Sequence, residues 1–122
     1  MTDRTLADSS AVALHGAATA ELGPFAPKAT AITPGVADAT RPIWSGGAVQ
    51  TGIWECEPGS FTGFRDGYAE ICVFLSGRVT VQGEGDEPIE FGPGDVLVMP
   101  SGWRGVWHVH ERLRKHYTSI TD

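Results

Sequence analysis

Only two cysteines occur in the 122 residues, Cys56 and Cys72. They make no CxxC pair and no even-numbered framework of the kind that staples a small secreted domain or holds zinc. Both sit in apolar, strand-like runs, so buried free thiols in a reducing compartment are expected, although antiparallel neighbours could set the two opposite each other. Long hydrophobic runs are also missing: nothing is long enough to span a bilayer as a helix, and the first residues lack the charged head and apolar run of a secretory signal. A cytoplasmic protein is expected. Positive charge is scarce, nine Lys and Arg against fifteen Asp and Glu for a net −6, which argues against nucleic acid or an anionic membrane as partner. GxSxG, P-loop and GxGxxG motifs are absent. Helical periodicity is nearly absent too; Leu14 to Ala20 is alanine-rich enough for one helical turn, and Gly16 argues against more.

What remains is one soluble globular domain, with 41% hydrophobic and 20% charged residues, large enough to bury roughly two-thirds of its unfolded surface. From Gly52 to Tyr117, short runs rich in Val, Ile, Phe and Trp are broken at regular intervals by Gly, Pro and Asp, the rhythm of a small antiparallel barrel or sandwich. The pattern predicts strands around Ile43-Trp44 and over Val49–Cys56, Ser60–Phe64, Glu70–Leu75, Arg78–Gln82, Ile89–Phe91, Val96–Met99, Arg104–His110 and Arg112–Ile120. Pro58-Gly59, Arg65-Asp66-Gly67, Ser76-Gly77 and G-P-G-D read as turns. Residues 41–122 form the barrel domain in this reading, and 1–40 an N-terminal arm that is extended or partly disordered. Within the arm, Met1 to Ala13 is polar and expected to be frayed. Leu22 to Thr40, punctuated by Pro24, Pro27 and Pro34, is expected to be extended chain with one or two short edge strands, lying along its own barrel or a neighbour's.

Two spacings stand out. Glu70 and Gly77 enclose I-C-V-F-L-S, and Gly94 is followed by D-V-L-V-M and Pro100-Ser101-Gly102. Together with E-P-G-x-F, F-G-P-G-D, P-S-G-W-R-G-V-W and R-K-H-Y, these make the chain resemble the cupin superfamily. It looks most like the small single-domain cupins related to (S)-ureidoglycine aminohydrolase cupin domains and ethanolamine-utilisation cupins. The resemblance implies an all-β double-stranded β-helix, a jelly-roll barrel, often a homodimer, with a ligand pocket in the barrel mouth. It also exposes a departure. Metal-binding cupins place His-x-His ahead of the Glu, which falls here on Phe64 and Asp66 or on Gly63 and Arg65, and a fourth ligand at Gly105. Of that set only Glu70 survives, and a stable transition-metal site needs three or more well-placed donors. No cofactor is expected on this count; a divalent transition metal would have to use Glu70, Asp66 and His116.

The site candidates follow. Glu70 is a general base or a ligand-anchoring carboxylate, paired with Asp66, or else a buried acid satisfied by Arg65, Arg104, Arg114 or Tyr117. His116 beside Glu70 would make an acid–base couple. However, R-L-R-K-H-Y alternates Arg114 and His116 against Lys115 and Tyr117 without showing which pair faces the pocket. Trp103 and Trp107 are an aromatic ligand wall or core filling, with the Trp107 indole free to use the volume left at Gly105; Trp44 and Trp54 are expected in the core. His108 and His110 alternate away from Trp107, towards solvent. Ser60, Ser76 and Ser101 fall in turns, and Cys72 shares the Glu70 face. The expected function is binding of a small polar organic metabolite without the usual metal set, with Glu70, Arg65, Asp66, Trp103, Trp107, His116 and Tyr117 as site residues. The alternatives are a hydrolase, isomerase or decarboxylase acting on a small carboxylate or ureido compound, and a non-catalytic structural or regulatory module.

Overall fold

Alternating apolar residues bounded by Gly and Pro dictate strands, and in the computed structural model, which describes residues 9–122, every regular element is one. They are β1 (Ala26–Pro27), β2 (Ala37–Gly46), β3 (Val49–Cys56), β4 (Gly59–Phe64), β5 (Tyr68–Gly83), β6 (Ile89–Phe91), β7 (Val96–Met99) and β8 (Arg104–Thr121). The one helical turn near the start is a single turn, in which the Gly16 carbonyl accepts from Thr19 and Ala20. Of the stretch expected to be frayed, residues 1–8 lie outside the described residues.

Two of the strands are longer than their sequence punctuation suggests. Ser76-Gly77 does not end a strand: β5 runs through it, and β8 likewise runs through Glu111. All ladders are antiparallel. The N-terminal half of β8 pairs with β4 and with the second half of β5, and its C-terminal half pairs with β3 and the first half of β5. The register slips between Phe74 and Val79, where β8 passes from β4 to β3, and the one eight-stranded sheet bends there and curls on itself. This is the expected jelly-roll barrel. Gly77 makes the bend possible: its φ is 88°, a left-handed conformation that costs a side chain, and a Cβ there would overlap the Arg112 carbonyl oxygen.

Inside the curl, Trp54, Phe61, Phe74 and Trp107 pack with ring centroids 5.7–5.9 Å apart, surrounded by Cys56, Cys72, Val79, Val81, Met99 and Leu113. The cysteines lie opposite Leu113 and Tyr117 on the two sides of β8, so they do not face each other, and both thiols are free. Burial pushes Cys56 up to about 12 and Cys72 to about 11, so neither supplies a thiolate near neutral pH.

Arm and barrel are stitched together by hydrogen bonds. β2 starts at Ala37, ahead of the boundary suggested at Arg41. The described arm lies along its own barrel: Arg114 donates to the carbonyls of Ala17 and Ala20, at 2.9 and 2.7 Å, and Arg41 donates to Glu21. Below the arm, Glu55 accepts from Arg112 at 2.6 Å and from Arg114 at 2.7 Å. Burial opposes ionisation of Glu55, but these two guanidinium groups outweigh it and hold the carboxyl below its ordinary value of 4.5. The folded state therefore binds fewer protons than the unfolded chain in that window. The stabilisation is complete above about pH 4.5 and is lost as the pH falls through the lower folded value. Urea unfolding between pH 6 and pH 3 is expected to show this acid limb, and Glu55→Gln to flatten it; an equally steep limb in the variant would assign it to other carboxylates.

Candidate functional site

Inward alternation on five strands places polar side chains at one end of the barrel, above the aromatic core. A cavity of about 270 Å³ opens there, lined by Asp38 and Thr40 from β2, Trp54 from β3, Phe61, Thr62 and Gly63 from β4, Tyr68 and Glu70 from β5, and Lys115 and Tyr117 from β8, with Lys28 and Arg65 from the connections. Both lysines and both tyrosines of the chain are among them. Lys115 Nζ lies 2.6 Å from Glu70 Oε2 and 4.5 and 4.6 Å from the centroids of the Trp54 and Trp107 rings. The ammonium thus has a carboxylate on one side and two π faces on the others. Arg65 Nε stands 3.5 Å from the other oxygen of Glu70. A second pair sits across the cavity: Lys28 Nζ is 3.1 Å from Asp38 Oδ2, which also accepts from Trp54 Nε1 at 2.8 Å, while Lys28 lies 4.6 Å from the Phe61 centroid. Burial, and then the charge of Glu70, push the Tyr117 phenol above its ordinary value, so its hydroxyl remains a donor.

The family described as EutQ-like cupin domain matches residues 45–117, more than half of the chain. The chain belongs to the EutQ-like cupin family. Among solved structures this cupin is similar to the EutQ protein of Clostridium difficile, with 17% identity, TM-score 0.65, and coverage of 73% of this chain and 71% of that one. It is similar too to a protein of unknown function of the DUF861 family from Pseudomonas syringae pv. tomato, with 20% identity and TM-score 0.74 over 84% of this chain and 46% of that one. A DUF861 family protein from Thermotoga maritima is 37% identical, with TM-score 0.50, over 53% of this chain and 73% of that one. No curated protein matches the sequence significantly. The matches carry the ethanolamine-utilisation side of the expected resemblance.

In this cupin the surviving motif carboxylate already holds a cation. Lys115 occupies one oxygen of Glu70, and Asp66 and His116 point elsewhere, so the three residues that a metal would have to use do not converge. Among the described residues no group of three or more His, Cys, Asp or Glu side chains does. The residues do not fit the metal held by the metal-binding cupins.

The other sequence candidates divide. Arg65 and Tyr117 line the cavity with Glu70, and of the partners suggested for Glu70 it is Arg65 that reaches it. Asp66 does not join the site. It is exposed in the turn between β4 and β5, while its neighbour Arg65 is pinned by backbone hydrogen bonds with Trp103 and Gly102, so no Asp66–Glu70 carboxylate pair forms. His116 is on the far face of β8. Lys115 and Tyr117 take the inner positions, and His116 bonds Thr51 Oγ1 at 2.8 Å in a cleft below Val12, Leu14 and Ala17; the acid–base couple with Glu70 is not assembled. Trp107 is wholly buried in the core, beneath Lys115 rather than on the cavity wall.

The indole over Gly105 belongs instead to Trp103. Gly63, Gly105 and Gly83 are register neighbours on β4, β8 and β5, and a Cβ on any of them would come within 3.2 Å of Trp103. The glycine at the lost ligand position is thus one third of a seat for an aromatic ring. Trp54 is buried as expected, but Trp44 is exposed, folded over Gly46 beyond the β2 bulge. His108 and His110 stay off the cavity, bonded to Ser60 and Thr80.

Sequence reasoning missed Lys115, Lys28, Asp38 and Tyr68. A signal for the first existed, since Lys115 alternates with Tyr117 on one strand face. Lys28 and Asp38 come from a segment that reads as featureless extended chain.

Proposed function

We propose that this cupin binds a small polar organic metabolite in the barrel cavity. The observation that carries the reading is the convergence of two lysines, Arg65, two tyrosines and two carboxylates on one hollow in an otherwise apolar interior, an expensive arrangement unless a ligand uses it. Glu70 serves here to hold Lys115 and Arg65 in position beside the cavity. Enzymatic readings, hydrolysis, isomerisation or decarboxylation of a small carboxylate or ureido compound, are secondary: they need an acid–base partner for Glu70, and the group in contact with it is Lys115. A homodimer is part of the reading, supported by the exposed apolar strip of Ile71, Val96 and Val98, as is a reducing, cytoplasmic setting, supported by two buried free thiols.

The test is a melting-temperature screen of polar metabolites on the purified cupin, followed by calorimetry. A ligand at about 100 times its Kd adds about 2.7 kcal/mol of stability. Thr40→Trp, which fills the cavity, is expected to abolish the shift. An undiminished shift in that variant places binding elsewhere and overturns the reading.

A further inference from the structure

We infer that the ligand is an organic anion, most simply a small carboxylate, and that Arg65 is its anchor. The inference rests on the cavity being a binding site and adds the charge of what enters it.

Three cations, Lys28, Arg65 and Lys115, line the cavity against two carboxylates, Asp38 and Glu70, one positive charge in excess within a chain of net −6. The excess can be assigned. Lys28 has Asp38 at 3.1 Å and Lys115 has Glu70 at 2.6 Å, which leaves Arg65 as the odd cation. Its closest approach to an acid is the 3.5 Å contact from Nε to Glu70, and Nε is buried without a hydrogen-bond partner. The residue is only 9% exposed. A guanidinium carries five donors in a planar fork, and leaving even the Nε donor without an acceptor away from water is costly. A carboxylate meets the fork with two parallel hydrogen bonds, a geometry that neither an ammonium nor a neutral amide reproduces.

The fork is also held in place before any ligand arrives. Trp103 accepts from the Arg65 backbone N–H at 2.8 Å and the Arg65 carbonyl accepts from Gly102 at 2.7 Å. The guanidinium carbon lies 5.9 Å from the Tyr68 centroid and 5.8 Å from that of Trp103. A side chain immobilised in advance loses less entropy on binding. Tyr68, Tyr117, Thr40 and Thr62 also line the cavity, hydroxyl-bearing residues that suit a hydroxyl, amide or ureido group on the rest of the ligand. The volume, about 270 Å³, lies just under the range of about 300–1,000 Å³ usual for drug-sized ligands, so the anion is small.

The experiment is calorimetry on the wild-type cupin at fixed pH and ionic strength with two- to six-carbon carboxylates, each beside its own primary amide, which keeps the shape and removes the charge. At least one acid is expected to bind about 10- to 100-fold more tightly than its amide, the worth of a charge-assisted hydrogen-bond pair. Arg65→Gln is expected to remove that difference and Arg65→Lys to restore only part of it. Amides that bind as well as their acids, displaced by filling the cavity with Thr40→Trp, would overturn the anionic ligand and leave the binding site standing. If neither series binds, the binding-site reading falls with it. The wild-type comparison needs no variant, so the inference stays open to refutation even if Arg65→Gln does not fold.

Discussion

Glu70→Gln or Lys115→Met alone is expected to lower the stability of the barrel by about 3–5 kcal/mol, whereas the two combined cost far less than the single changes added together. The reason is the low exposure of the pair: the side chains of Glu70 and Lys115 are 8% and 6% exposed, so removing one partner strands the other where water cannot reach it. Surface pairs, by contrast, are worth about 0–1 kcal/mol. Methionine preserves most of the lysine stem that lies against Trp54 and Trp107, and glutamine preserves the shape of the acid, so the double variant loses both charges without opening a cavity. Urea unfolding of wild type, both singles and the double gives the coupling directly. Additive effects, or single changes costing less than about 1 kcal/mol, would mean that the ammonium reaches water and that the pair is not what organises the cavity floor.

Gly77→Ala is expected to cost about 2–5 kcal/mol, from about 1–2 for forcing a side chain into the left-handed region and the rest from backbone displacement. The φ of 88° accounts for the first part and the overlap of a Cβ with the Arg112 carbonyl for the second. Gly85 separates the two. Its φ is 80°, but nothing lies within 4 Å of the Cβ it would carry, so Gly85→Ala should show the backbone cost by itself. If Gly77→Ala is no worse than Gly85→Ala in the same denaturation experiment, the crossing of β5 and β8 at the bend is not tight, and the register slip has a cause other than the glycine.

Much of the barrel can be read from residues alone, because alternation and Gly/Pro punctuation are local. What those signals cannot convey is whether a glycine stops a strand or bends it. Ser76-Gly77 has the composition of a turn, yet β8 alongside supplies hydrogen-bond partners on both sides of the bend, so β5 continues. The parity of β8 is unreadable for a related reason. R-L-R-K-H-Y is polar on both faces, and both are covered: Lys115 and Tyr117 by the barrel interior, Arg114 by carbonyls of the arm far back in the sequence. The motif spacing points Glu70 inward, and it is inward; its main partner is hidden because pairing across a curled sheet is set by register, which no local pattern states. Asp66 stays out of the cavity because its place in a tight turn outweighs its nearness to Glu70 in the chain, and Trp107 is open to either reading in the sequence because a fully packed indole beneath the cavity and one on its wall share the same alternation.

The position of β8 has a consequence for how the protein comes into being. Every strand it joins, β3, β4 and β5, precedes it in the chain. During synthesis the earlier segments can close only nearby hairpins such as β2 with β3 and β5 with β6. Until Arg104–Thr121 has emerged, three strands wait with unpaired edges, the kind of surface on which neighbouring nascent chains add to one another. The last step then closes long loops all at once, an entropic barrier that makes for slow folding. A barrel that has not yet added Arg104–Thr121 therefore presents open strand edges to its neighbours, and the arrival of β8 sets how long those edges stay exposed.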